Sequence, residues 1–314
     1  MAKLRAGLQI NKPDSKAALE TIVRAEANNI DTVWSTFGGV RPDSLGIFTA
    51  AAVITERIGF GTSIVPTYTR HPIVLASQAL ALEDLAPGRL RLGIGPSHRP
   101  MIEGNLGIPM DKPHEHLREY LTILQALLWE GKVDFAGTYF KVNSQLPPGV
   151  TPPRTPVLIS ALRENAFRLA GEMAGGAISW LCPVPYLVRT ALPAMQAGAA
   201  AAGRPVPPLV AHVVVALSQD RPAILKAGRS QLANYGKLPF YVKMFQDAGY
   251  AVEPDGTLTD ALLDGLIVSG DAGTVAARLA EIQAAGLSEL LVAPLYIEDT
   301  AAEERELMRV IGQG

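Results

Sequence analysis

From Leu4 to Gly95 an apolar, β-rich run precedes an amphipathic helical pattern again and again, at a spacing of roughly 30 residues. This alternation constrains the fold more than any other feature of the chain. Leu4–Ile10 alternates apolar and polar residues and predicts a first strand. Asp14 or Ser15 then caps a helix to about Asn28, with Leu19, Ile22, Val23 and Ala25 inward. Asp31–Ser35 predicts a second strand. A glycine-containing loop over Thr36–Pro42 follows, and Asp43 or Ser44 caps a helix through Thr55. The third strand lies in Arg57–Arg70, a buried run that ends in the polar rim Pro66-Thr67-Tyr68-Thr69-Arg70. Pro72 opens a helix on Ile73, Leu75, Ala76, Ala79, Leu80 and Leu82, and Arg89–Gly95 is the fourth strand.

The regularity then breaks. A polar segment over Pro96–Pro113, a periodic helix over Glu115–Trp129 and a hairpin pattern over Val133–Val142 intervene before the pattern resumes at Pro156–Ser160. A helix at Glu164–Met173, a strand at Ala177–Cys182, a helix at Tyr186–Ala202 and a strand at Leu209–Leu217 come next. Arg221–Tyr250 is a second helical insertion, broken at Gly236 and Pro239. Ser269 or Asp271 caps a helix to Ala285, and a strand at Glu289–Leu295 and a helix at Thr300–Ile311 close the chain. Eight strands each followed by a helix predict an α/β fold, a (β/α)8 TIM barrel with chemistry at the carboxyl ends of its strands. The expectation is one domain over 1–314, with insertions after strands 4 and 7 at about 96–155 and 220–268. A doubly wound open sheet is the alternative.

Composition narrows the function classes. A net charge of −2 gives no global pull towards nucleic acid or anionic lipid, and no run of eighteen apolar residues suggests a membrane span. The amino-terminal residues lack the pattern of an export leader. Cys182 is the single cysteine, so an intrachain disulfide and a thiolate zinc site are both excluded, and a reducing cytoplasm fits.

Among the strand ends, Gly61, Thr62 and Ser63 are small enough to let a flat ring approach the backbone. Gly93-Ile94-Gly95-Pro96-Ser97-His98 is not a dinucleotide fingerprint, because His98 replaces the third glycine and no helix follows directly. It reads instead as a tight turn exposing Ser97 and His98, where a histidine can relay a proton or simply bond to backbone. His114 and His116 stand two apart on a helix and face different ways, so they read as solvated or capping residues rather than a metal pair. His71 reads as a cap or packing residue and His212 as a satisfied core histidine. Ser160-Ala161-Leu162-Arg163-Glu164 leads from strand into helix, an outline whose free amides attract a phosphate. No hydrolase elbow, P-loop or paired-cysteine metal site is present.

The segments GTSIVPTYTRHPIVLASQALALEDLAPGRLRLGIGPSHRPMIEG (61–104), PHEHLREYLTILQALL (113–128), PVLISALRENAFRLAGEMAGGAISW (156–180), NYGKLPFYVKM (234–244) and the closing SGDAGTVAARLAEIQAAGLSELLVAPL carry a resemblance over the whole chain. The sequence closely resembles the bacterial-luciferase-like flavin and deazaflavin oxidoreductases, and within them the coenzyme F420-dependent branch. That resemblance implies a barrel holding the cofactor ring at its carboxyl end. A cis peptide at Ser63–Ile64 would back the ring, with Thr67 and Tyr68 beside it. Gly95, Pro96, Ser97 and His98 would line its edge, and the amides of Ser160, Ala161, Leu162, Arg163 and Glu164 would hold its phosphate. His98 is the candidate proton donor, and Phe37, Trp180, Tyr235 and Tyr241 are candidates for lining the substrate cavity. Coenzyme F420 is the expected cofactor and FMN the alternative; a small organic substrate and a homodimer are expected. The competing readings are an FMN monooxygenase and a non-catalytic cofactor-binding protein.

Two positions depart from the family. Many relatives follow the second-strand tryptophan with an acidic residue and a histidine, whereas Trp34 here leads into Ser35, Thr36 and Phe37, so sugar-phosphate oxidation is not expected. Arg163 stands where close relatives tend to carry glycine, adding a cation for an anionic tail.

Overall fold

The computed structural model describes residues 4–37 and 39–313. Gly38, in the loop after the second strand, lies outside them. β1 (Ala6–Ile10), α1 (Ser15–Ala27), β2 (Thr32–Ser35), α2 (Ser44–Ala52), β3 (Gly59–Thr62), the two-residue β4 (Val65–Pro66), α3 (Pro72–Leu85) and β5 (Leu90–Gly95) follow in order. The helix starts obey the expected chemistry. Asp43 caps α2 by accepting from the amides of Leu45 and Gly46, and His71 caps α3 ahead of Pro72 by accepting from Ile73.

The first insertion contains a π-helical turn over Pro100–Asn105, α4 (Pro113–Gln125) running into a second π-helical turn over Ala126–Glu130, and an antiparallel hairpin of β6 (Lys132–Ala136) and β7 (Lys141–Gln145). β8 (Val157–Ala161), α5 (Glu164–Met173), β9 (Gly176–Ser179), α6 (Val184–Tyr186), α7 (Leu192–Ala201) and β10 (Leu209–Ala216) come next. α8 (Arg221–Leu232), α9 (Pro239–Asp247) and α10 (Asp260–Leu266) make the second insertion. β11 (Ile267–Ser269), α11 (Ala272–Ala284), β12 (Glu289–Pro294) and α12 (Thr300–Gly312) complete the order.

The strand order β1-β2-β3-β5-β8-β9-β10-β12 returns to β1, because β10 pairs with β9 as well as with β12. This is a closed parallel barrel of eight strands with surrounding helices. Registers are parallel where adjacent strands meet: Leu92 lies beside Val157, Val210 beside Ile178 and Leu8 beside Val292. β10 is buried along its whole length, and Leu209–Ala216 accordingly reads as a nearly unbroken apolar run. Two short strands supplement the eight. β4 carries the line of β3 past Ser63 and Ile64, whose peptide bond is cis, and pairs with β5 through Val65–Ile94 and Pro66–Gly95. β11 pairs with Val214–Ala216 of β10, past the point where β9 stops at Ala211.

The elements gather into two compact units. One comprises Met1–Gln9, Ala27–Thr32 and Ala161–Gly314, the other Ile10–Glu26 and Val33–Ser160. In the first, α5 and α7 lie backbone to backbone. A Cβ on Gly171 would stand 2.0 Å from the Met195 carbonyl oxygen, and one on Gly198 2.0 Å from that of Arg168.

In the second unit, the hairpin is tied to α4 by a single carboxylate. Glu119 accepts from the amides of Thr138 (2.7 Å), Tyr139 (2.9 Å) and Phe140 (3.1 Å). Charge-assisted bonds of this kind contribute about 1.5–3 kcal/mol each where water is excluded and less at an edge such as this. Glu119→Ala is therefore expected to raise hydrogen exchange at amides 138–140 at least about ten-fold while the barrel strands stay protected. Unchanged exchange there would show that the hairpin does not depend on this carboxylate.

Candidate active site

Three strand ends of the second unit bring their residues together. β5 ends at Gly95, where a side chain would collide with its neighbours: a Cβ would stand 2.1 Å from the Ser160 hydroxyl on β8 and 3.4 Å from Ile64 Cδ1. Glycine at 95 thus leaves room for the Ser160 hydroxyl and the Ile64 side chain to close over the strand end. Both Ile64 and Ser160 are half-buried, so their meeting point reaches the surface. Thr67 donates its amide to Gly95 O at 2.9 Å, locking the chain after β4 to the same strand end.

Beyond Gly95 the chain turns at Ser97, which adopts φ +63°, a conformation uncommon outside glycine and asparagine. The turn places His98 half-buried at the head of the π-helical turn, its carbonyl accepting from Met101 and Ile102. π-Helical turns concentrate at functional sites. The following loop is closed by Arg99, which pairs with Glu103 and donates to Met110 O at 2.8 Å, while Glu103 accepts the Met110 amide at 3.0 Å. Burial lowers the His98 pKa below 6.5, so the imidazole is neutral at pH 7.

The expectation that Gly61 admits a bound ring is corrected by the structure. A Cβ there would stand 2.2 Å from the indole of Trp34, which is fully buried and occupies that hollow itself. Ser35 shares a hydrogen bond of 3.0 Å with Ser44. Phe37 lies under the Arg70 guanidinium, 4.9 Å from its ring centre, and Arg70 is held by Asp43 and by Gln78.

His116 is also corrected. It is neither solvated nor a cap but 6% exposed, with Nδ1 3.3 Å from the Thr67 hydroxyl and its ring stacked on Tyr68 at 3.9 Å between centres. Tyr120, Tyr139 and Phe140 surround it. Burial drives its pKa down to about 4. The signal was present in the helical spacing: His116, Leu117, Tyr120, Leu121 and Leu124 share the inward stripe of α4. His114 is exposed, as expected of a solvated residue. Thr67 is buried with its hydroxyl turned to His116, whereas Tyr68 is half-buried and donates its phenol to Asp111 O at 3.0 Å.

In the first unit, Trp180, Tyr235 and Tyr241 do come together. The Trp180 indole N–H donates to the Tyr235 hydroxyl at 2.8 Å, and the two tyrosine rings meet edge to face at 4.8 Å. Behind them the His212 ring lies 3.9 Å from Trp180, tilted by 31°, and accepts weakly from the Leu181 amide at 3.5 Å, a core histidine as expected. Burial raises the pKa of Tyr235 and Tyr241, so these phenols are neutral near pH 7. Cys182 is buried, and its thiol is pushed up to about 12, too high to supply a thiolate at neutral pH.

The same unit carries the junction from Ala161 to Glu164. No side chain caps α5, in contrast to α2, α3, α8, α10, α11 and α12, all of which carry a side-chain cap. α4, α7 and α9 also lack one, and an uncapped start leaves first-turn amides without a side-chain acceptor. Arg163, at the N-cap, faces Asp247 at 3.8 Å and remains half-exposed. Among the described residues no group of histidine, cysteine, aspartate and glutamate side chains could hold a metal, and no helix is long and apolar enough to cross a membrane.

With this geometry in place, the chain belongs to the luciferase-like monooxygenase family, whose pattern it matches over residues 2–289. It is similar to an uncharacterized protein of Mycobacterium tuberculosis, at 28% identity over 292 residues that cover 83% of this chain and 85% of that one. An F420-dependent glucose-6-phosphate dehydrogenase of Beutenbergia cavernae is 35% identical over 193 residues, covering 60% of this chain and 57% of that protein. Among solved structures, an F420-dependent secondary alcohol dehydrogenase in complex with an F420-acetone adduct superposes with a TM-score of 0.82 at 17% identity over 98% of both chains. The oxygenating constituent of an FMN-bound type II Baeyer-Villiger monooxygenase from Pseudomonas putida gives 0.75 at 17% identity, over 99% of this chain and 97% of that one. These likenesses establish the shared barrel fold.

Proposed function

We propose that this protein is a coenzyme F420-dependent oxidoreductase that moves a hydride between C5 of the deazaflavin and an activated carbon, such as that of an enone or imine, of a small apolar substrate. The observation that carries the reading is the meeting of three strand ends at Gly95, where the absence of a Cβ lets the Ser160 hydroxyl and the Ile64 side chain stand beside one another. The Ser160 hydroxyl itself fills the space over Gly95, so it stands at the strand ends as a polar group for the edge of a bound cofactor. The uncapped start of α5 supports the same reading, since the amides of Arg163 and Glu164 suit a phosphate and Arg163 suits an acidic tail. When bound, F420 would supply a two-electron hydride donor or acceptor at carbon.

The residues divide the remaining work. Ser63, Ile64, Thr67 and Tyr68 back and flank the ring, and Gly95, Pro96, Ser97 and His98 line its edge. Ser160, Ala161, Leu162, Arg163 and Glu164 hold the phosphate. Phe37, Trp180, Tyr235 and Tyr241 shape the substrate space and exclude water. His98 delivers the proton that balances the hydride during reduction, or removes one during oxidation. The protein works as one catalytic barrel over 1–314, as a homodimer in a reducing cytoplasm.

Spectral titration of the purified protein tests the reading. F420 is expected to bind with micromolar or tighter affinity, FMN far more weakly, and reduced F420 is expected to be consumed in the presence of some member of an enone and imine panel. Tight FMN binding with oxygen-dependent turnover would establish the monooxygenase chemistry of the Pseudomonas neighbour instead. Tight F420 binding with no hydride transfer across the panel would leave a carrier protein.

A further inference from the structure

We infer that His116 is a positioning residue that sets the plane of Tyr68 and the hydroxyl of Thr67 for cofactor binding; this rests on the reading of the site as an F420 site. Thr67 and Tyr68 follow β4 directly, and the Thr67 amide is already committed to Gly95 O, so their side chains are fixed by whatever packs behind them. What packs there is one imidazole. Its Nδ1 meets the Thr67 hydroxyl at 3.3 Å, and its face lies 6° from parallel to the Tyr68 ring at a centre distance of 3.9 Å. A ring so close to parallel leaves Tyr68 one orientation, and the phenol's hydrogen bond to Asp111 O pins its far end.

The imidazole is itself immobilised. Tyr139 meets it edge on at 5.3 Å and Phe140 lies 5.1 Å away, both from the hairpin turn whose amides Glu119 holds. The chain from Glu119 through the hairpin turn to His116 therefore ends on the two residues after β4, more than forty positions earlier in sequence. A leucine or phenylalanine would fill this apolar nest as well by volume. Only a flat ring with a nitrogen both stacks on Tyr68 and satisfies the buried Thr67 hydroxyl. No other residue in the nest supplies both contacts.

The test measures F420 dissociation constants by fluorescence alongside kinetics, for wild type, His116→Asn, His116→Phe, Tyr68→Leu and His116→Asn combined with Tyr68→Leu. His116→Asn keeps a polar partner for Thr67 but removes the stack, and is expected to weaken F420 binding about ten-fold with kcat at saturating cofactor changed less than about two-fold. His116→Phe keeps the stack and is expected to lose about two- to three-fold. The double variant is expected to bind no more weakly than Tyr68→Leu alone, because the imidazole acts through that ring. Wild-type affinity in His116→Asn, or fully additive losses in the double variant, would overturn the inference while leaving the cofactor reading intact. Should His116→Asn fail to fold, the more nearly isosteric His116→Phe compared with Thr67→Val carries the test: equal affinity to wild type in both overturns it. A wild-type protein that binds neither F420 nor FMN overturns the cofactor reading and this inference together.

Discussion

His98→Ala is expected to lower turnover with F420 about 10²- to 10⁴-fold while the cofactor dissociation constant changes little, the loss typical of removing a positioned acid or base. Its pH signature separates this from a structural effect. Burial holds the imidazole below 6.5, so it is uncharged over most of the neutral range. In the reductive direction the proton comes from the charged form, and kcat/KM is expected to rise as pH falls through the lowered value. In the oxidative direction the neutral form is the acceptor, and the rate is expected to be flat above that value and to fall below it. His98→Ala should erase both limbs. Equal turnover in variant and wild type across pH 5–8 would remove His98 from the chemistry.

Gly171→Ala is expected to destabilise the protein by about 3 kcal/mol or more, the largest single-residue effect on folding anticipated here. The local preference points the other way, since alanine in a helix interior gains about 1 kcal/mol over glycine. The close contact decides the sign. The new methyl would stand 2.0 Å from the Met195 carbonyl oxygen and 3.0 Å from the Ala199 nitrogen, both main-chain atoms that no rotamer change can move. Gly46→Ala on α2 is the control, because nothing lies within 4 Å of its added carbon, and a small gain is expected there. The thermal midpoint should fall by about 5–10 °C in the first variant and hold or rise in the second. A midpoint at or above wild type for Gly171→Ala would show that α5 and α7 are not packed main chain to main chain.

The barrel was legible because each strand end carries its own punctuation. Asp43, Asp271 and the His71-Pro72 pair mark helix starts by chemistry that acts within a few residues, and all three cap as expected. β11 is not marked in the sequence because Ile267–Ser269 is only three residues long and follows α10 directly. His98 stands out in the sequence as a histidine close after two glycines at a strand end, and the structure places it half-buried there. His116 was misjudged because a polar residue near a helix start is usually solvated, and its burial depends on Phe140 and Tyr139 folding back from the hairpin. The hollow at Gly61 is filled by the protein's own Trp34 and not by a ligand. Glycine signals that something flat comes close; the sequence does not say whose ring it is.

The glycine contact between α5 and α7 has a further consequence. Because the two helices touch through carbonyl groups, neither can slide along the other, and the opening turn of α5 stays in place whatever its outward side chains become. The positions of its first main-chain nitrogens are then set by geometry and not by residue identity. Replacing the exposed Arg163 at its rim can change the charge there while leaving those nitrogens where they are.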